Sequence, residues 1–209
     1  MNCYLWEKVS LMNKKLQIFI SSTFEDMIEE RQATVMAILD AGHIPAGMEV
    51  FKGSNTVKKT IFKWIDESDI YVLLLGGRYG SIDEKTGKSY TQIEYEYAKK
   101  KGKPMFSIIL DEIYLTEKSK KQGTTKTYEQ KNNKLYEDFK KIVTDSFAHY
   151  VENVDQIGKQ VVSEINNIVN HSKYNMIGLA KLNTEINIWF SRRRQMDILQ
   201  PSEYLKSIV

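Results

Sequence analysis

The sequence predicts a doubly wound α/β domain built on a parallel sheet, on three observations. Short apolar runs of strand length, at 16–20, 70–75 and 105–110, alternate with segments of helical periodicity. The first two runs are each followed by a capping or glycine-rich turn, Ser21-Ser22-Thr23 and Gly76-Gly77-Arg78-Tyr79-Gly80-Ser81. With 209 residues, 42% hydrophobic and 27% charged, the chain has the length and composition of one globular domain with a full core.

Taken in order, Leu16 to Ile20 forms the first strand. Ser22-x-x-Glu25 and Thr23-x-x-Asp26 are capping pairs that open a helix whose buried stripe is Met27, Ile28, Val35, Ile38 and Leu39, ended by Gly42. A second strand lies near 43–46. The next helix, from about 56 to 67, buries Val57, Ile61, Trp64 and Ile65. Ile70 to Leu75 is the third strand. Ser89-x-x-Gln92 then caps a helix carrying Glu94 and ending near Gly102, and Pro104 introduces the fourth strand at 105–110. Residues 116–134 are lysine-rich and poor in apolar side chains, so the composition predicts an exposed, mobile loop, a candidate flap. Leu135, Phe139, Ile142 and Val143 suggest a helix, 147–151 a fifth strand and 154–169 a long amphipathic helix. The expected sheet is flavodoxin-like, in the order 2-1-3-4-5, with helices on both faces. Residues 15–170 form this domain, 1–14 an N-terminal extension in which Met12 is an alternative start, and 171–209 a C-terminal helical segment.

Charge and composition remove several function classes. Thirty basic against 27 acidic residues leave +3, no global field for nucleic acid or an anionic membrane. Lys99 to Lys101 ends a helix, where cations suit the dipole, and no aromatic-interleaved basic surface accompanies Arg192 to Arg194. No apolar run spans a bilayer, and residues 1–9 lack the apolar core of a signal peptide. The single Cys3 excludes an intramolecular disulfide and a thiolate cage, and His43, His149 and His171 show no metal-ligand spacing. A cytoplasmic protein without metal or cofactor is expected.

Glu94 is the residue that chemistry singles out. It falls in the first turns of a helix, near the carboxyl ends of the strands, where open α/β sheets bind ligands. Its plainer role is a charge that complements the helix dipole. Gly-Gly-x-x-Gly is neither a Walker motif nor a dinucleotide fingerprint, and its glycines are turn formers first.

The blocks Ile18-Phe19-Ile20-Ser21-Ser22-Thr23-Phe24-Glu25-Asp26-Met27, Glu29-Glu30-Arg31, Gly47-Met48-Glu49, Gly76 to Ser81 and Ser89-Tyr90-Thr91 with Glu94 to Ala98 resemble, in order, the TIR-like family catalogued as domain of unknown function 4062. The resemblance covers 15–112 well and extends loosely to about 170. From Glu94 onward, Glu94-Tyr95-Glu96-Tyr97-Ala98 is similar to the glutamate helix of TIR domains that cleave NAD. Thr91 to Ala98 is similar to the corresponding helix of nucleoside 2-deoxyribosyltransferases, although Glu96 stands where they carry glycine. Both families break an N-glycosidic bond.

What the resemblance implies is an NAD-consuming enzyme, a glycohydrolase or ADP-ribose cyclase, acting in bacterial antiviral defence. Glu94 would be its catalytic carboxylate, stabilising an oxocarbenium-like ribose. Ser21, Ser22 and Thr23 would offer hydroxyls and amides to ribose or phosphate, Arg78 would meet a pyrophosphate, and Phe24 or Tyr79 would stack on a base. Gly77 belongs to the same turn, and Glu49 and Glu96 are helpers. NAD enters as substrate, self-association is expected, and a separate effector protein would respond to the product. Two alternatives stand beside this: a nucleoside or nucleotide N-glycosidase or deoxyribosyltransferase, and a non-catalytic TIR-like adaptor. A cationic nicotinamide leaves without a proton, and no second acid beside Glu94 is evident in the sequence, which favours NAD.

Overall fold

The computed structural model describes residues 15–47 and 55–171. Strands β1 (Gln17–Ser21), β2 (Ile44–Gly47), β3 (Ile70–Leu75), β4 (Met105–Leu110) and β5 (Ala148–Val151) form one sheet in the order β2-β1-β3-β4-β5. Every neighbouring pair is parallel, as in Ile18 opposite both Pro45 and Ile70. This is the expected flavodoxin-like order.

Helices cover both faces because the strands alternate their side chains. Ile18, Ile20, Val72, Leu74, Phe106 and Ile108 meet α1 (Ile28–Asp40), α4 (Glu112–Gln122) and α7 (Val154–His171). Phe19, Tyr71, Leu73 and Ile109 meet α2 (Asn55–Glu67), α3 (Tyr90–Lys100) and α6 (Asn133–Thr144). The short α5 (Thr124–Thr127) and a two-stranded ribbon, Ile82–Asp83 with Lys88–Ser89, complete the described chain. Among the described residues, no helix is long and apolar enough to cross a membrane.

Three expectations are corrected. The first helix starts at Ile28, and its N-cap, Met27, makes no side-chain capping bond. Ser22 is diverted from capping: its Oγ accepts from Arg31 Nη1 at 2.9 Å and donates to the Thr23 carbonyl. The apolar stripe expected on α1 is only partly buried, with Ile28 and Leu39 exposed while Glu30, Arg31 and Thr34 face inward.

The largest correction concerns 116–134. In place of a loose flap, α4 and α5 are packed elements, and Tyr114, Leu115, Lys118 and Thr127 are buried. Lys118 Nζ pairs with Glu30 Oε1, which also accepts from the Tyr114 hydroxyl at 2.9 Å. A lysine that composition assigned to solvent is neutralised by a carboxylate on α1 and so can be buried. The N-terminal extension, Glu49 and the segment beyond His171 lie outside the described residues.

Candidate active site

The topological switch lies between β1 and β3, where the chain leaves β1 toward β2 and returns on the other side. The segments that follow these two strands, 22–26 and 76–81, therefore open against each other at the carboxyl edge of the sheet. Together with Tyr90 and Thr91 at the start of α3 they enclose a cleft of about 270 Å³. Ser89 sets that helix start, its side chain accepting from the Gln92 amide. The expected capping pattern is the one found.

Glu94 lies one helical turn beyond Thr91, is 5% exposed, and is not among the side chains that line this cleft. Its Oε2 accepts from Ser21 Oγ at 2.6 Å, at the last residue of β1. Burial pushes its carboxyl up to about 7, against the Ser21 hydrogen bond and the Arg31 charge, which pull it down. Arg31 is itself buried, its Nη1 within 3.5 Å of the Ile20 carbonyl as well as bonded to Ser22. Tyr71 on β3 is buried among these groups, and burial first, then the Glu94 charge, raise its phenol, so it stays neutral. A carboxylate near neutrality, a hydroxyl donor, a guanidinium and a neutral phenol thus converge at one strand edge.

The other expected site residues divide. Ser22 and Thr23 line the cleft, and Phe24 stands at its rim, 52% exposed. Arg78 lines it too, with one ion pair among the described residues, to the exposed Glu25 at 3.7 Å. Gly77 serves a different purpose: it bridges to Tyr128, and a Cβ there would meet the Thr127 carbonyl oxygen at 2.5 Å. Tyr79 is no stacking platform. Its ring is buried edge-on to Phe139, and its hydroxyl donates to Gln92 Oε1. Glu96 is held at the surface by Lys88 Nζ, at 2.7 and 2.8 Å to its two oxygens.

Asp26 was missed in the sequence. It is 4% exposed, lines the cleft beside Arg78, and burial raises its carboxyl despite the opposing Thr23 hydrogen bond and the charges of Arg78 and Lys118. The site therefore holds a second acid. Only its place in Ser21 to Met27 marked it, and there it read as a capping residue. Arg31 and Tyr71 were likewise absorbed into a helix and a strand.

Comparison with known proteins gives one family: the model described as Domain of unknown function (DUF4062) matches residues 17–166. No curated protein matches the chain. Among solved structures, similarity extends to a CMP N-glycosidase, BcmB, of Clostridium botulinum, at 14% identity and TM-score 0.41, covering 69% of this chain and 96% of that one. It extends also to the TIR domains of the activated Roq1 resistosome recognising the effector XopQ, at 14% identity and TM-score 0.48, covering 72% and 99%. Both scores lie below 0.5, and the fold assignment rests on the strand order and register above.

Proposed function

We propose that this chain, which belongs to the DUF4062 family, cleaves the N-glycosidic bond of NAD as a TIR-like glycohydrolase, with Glu94 as the catalytic carboxylate. The observation that carries this reading is the buried Ser21–Glu94 pair at the switch point, its carboxyl raised to about 7. Carboxyls perturbed by burial at such positions are candidates for functional sites. As the bond between ribose C1 and nicotinamide breaks, its electron pair leaves with the ring nitrogen, which becomes neutral. Ionised Glu94 then stabilises the oxocarbenium-like sugar, and water adds at C1, giving ADP-ribose, nicotinamide and a proton. In the cyclase variant, a nitrogen of the substrate's own adenine replaces water. Arg31 keeps part of the Glu94 population ionised near neutral pH, and Ser21 orients it.

The place of this reaction in bacterial defence, in a cytoplasmic assembly of several copies with a separate effector protein, is supported by the family resemblance alone. A second reading draws on Asp26. A neutral base leaves as a protonated species, and a buried acid with a raised pKa beside Arg78 fits that need, which favours a nucleotide N-glycosidase. The test is incubation of purified protein with NAD and, separately, with nucleoside monophosphates, followed by product identification by mass spectrometry. Glu94→Gln is expected to reduce turnover about a hundredfold or more in either case. NAD cleavage should rise with pH through about 7, as Glu94 ionises. Asp26→Asn separates the readings, since it removes the proton donor that only the neutral leaving group requires. NAD cleavage that survives Glu94→Gln unchanged refutes the assignment.

A further inference from the structure

A second hollow, of about 320 Å³, adjoins the cleft at the switch point and shares Arg78, Gly80 and Ser81 as its wall. Its far side is Thr125 and residues 128–132. This side is a built surface. The Glu129 amide donates to the Gly77 carbonyl at 2.7 Å, and Gly77 bridges to Tyr128. The Glu129 carboxylate accepts from the amides of Tyr79, Lys131 and Asn132 at 2.9, 3.2 and 3.2 Å. Burial raises that carboxyl, but these backbone donors outweigh it and hold it below the usual range, so it stays ionised and occupied. The side chains that add positive charge to the hollow are Arg78 at the junction, whose ion pair among the described residues is to the exposed Glu25 at 3.7 Å, and the exposed Lys131 beyond. Tyr128 adds an aromatic ring, anchored through its hydroxyl to Glu112.

We infer that the site is bipartite and takes a dinucleotide, with the phosphates against Arg78 and the second nucleoside in the hollow of Thr125 and 128–132. The two halves together fall well within the range of roughly 300–1,000 Å³ typical of small-molecule sites, whereas alone the first lies just below that range and the second at its lower edge. A guanidinium at the junction of two hollows, whose one ion pair among the described residues is the 3.7 Å contact with exposed Glu25, suits the planar recognition of phosphate oxygens. The inference rests on the glycosidase reading for which end holds the scissile ribose, and on geometry alone for the distal half.

Binding of nicotinamide riboside, nicotinamide mononucleotide and NAD to Glu94→Gln, measured by calorimetry, tests it. Affinity should rise at each step. Adding Arg78→Ala should cost about tenfold for the mononucleotide and NAD, with the riboside spared. Thr125→Trp, at an exposed position that fills the distal hollow, should cost about tenfold for NAD alone. The same variants measured against ADP-ribose on the otherwise wild-type chain provide a second reading that needs neither turnover nor the Glu94 variant. NAD binding no tighter than the mononucleotide, equal loss of all ligands on Thr125→Trp, or no binding at all overturns the inference. NAD cleavage indifferent to Thr125→Trp refutes the distal half and leaves the glycosidase standing. ADP-ribose binding with the expected dependence, together with uncleaved NAD, does the reverse.

Discussion

Replacing Glu94 by glutamine should make the protein more stable at alkaline pH, and the amount follows from the site. Burial moves the carboxyl from 4.5 to about 7. At roughly 1.4 kcal/mol per pKa unit, keeping it ionised in the fold costs about 3 kcal/mol. Below about pH 4.5 it is protonated in both folded and unfolded chains and contributes no difference. Between 4.5 and about 7 the unfolded chain releases its proton while the folded chain retains it, so stability falls as pH rises, and above that window the loss is complete. Glutamine does not titrate and can still accept from Ser21 Oγ. Urea unfolding of both proteins at about pH 4 and about pH 8.5 therefore yields a stability difference that shifts by about 3 kcal/mol in favour of the variant, other titrations cancelling between them. A difference constant to about 0.5 kcal/mol across that range would refute the claim that Glu94 is a strained, buried acid. The consequence is that the fold holds a carboxyl whose ionisation lowers its stability.

Two further outcomes follow from the packing. Lys118→Met should destabilise the fold by about 3–5 kcal/mol by removing the ion-pair partner of buried Glu30, while Glu30→Met with Lys118→Met should recover much of that loss; thermal unfolding of the wild type and the two variants checks this. Gly77→Ala should cost about 1–3 kcal/mol, because the new methyl meets a backbone carbonyl that only a shift of α5 can move, and near-wild-type denaturation would show that the bridge to Tyr128 is dispensable.

What was legible in the sequence was local. The run Ile70 to Leu75 with its glycine turn, and Ser89 with Gln92, specify a strand end and a helix start within a few residues, and both stand where expected. The place of Glu94 on that helix was legible for the same reason. The misreadings share a different cause, a partner distant in the chain. Ser22 is drawn from capping by Arg31, and Lys118 is buried by a carboxylate 88 residues away. Periodicity shows which side of a helix is apolar, and it cannot show that Glu30, Arg31 and Thr34 will be the inward residues of α1 once matching charges and hydroxyls arrive from other elements. The resemblance made Tyr79 a stacking ring, and the packing of Phe139 and Gln92 around it shows it buried instead.

The Glu129 carboxylate, bound by three amides, has a consequence for how this site can change. The Glu129 carboxylate, with the backbone bridge from Gly77 to Tyr128 and Glu129, holds 77–79 against 128–132, and none of these contacts uses the side chains of Arg78 or Lys131. Those positions can change while the backbone beneath them keeps its form. Relatives that hold a glutamate here and vary around it would share a mould and differ in their cargo.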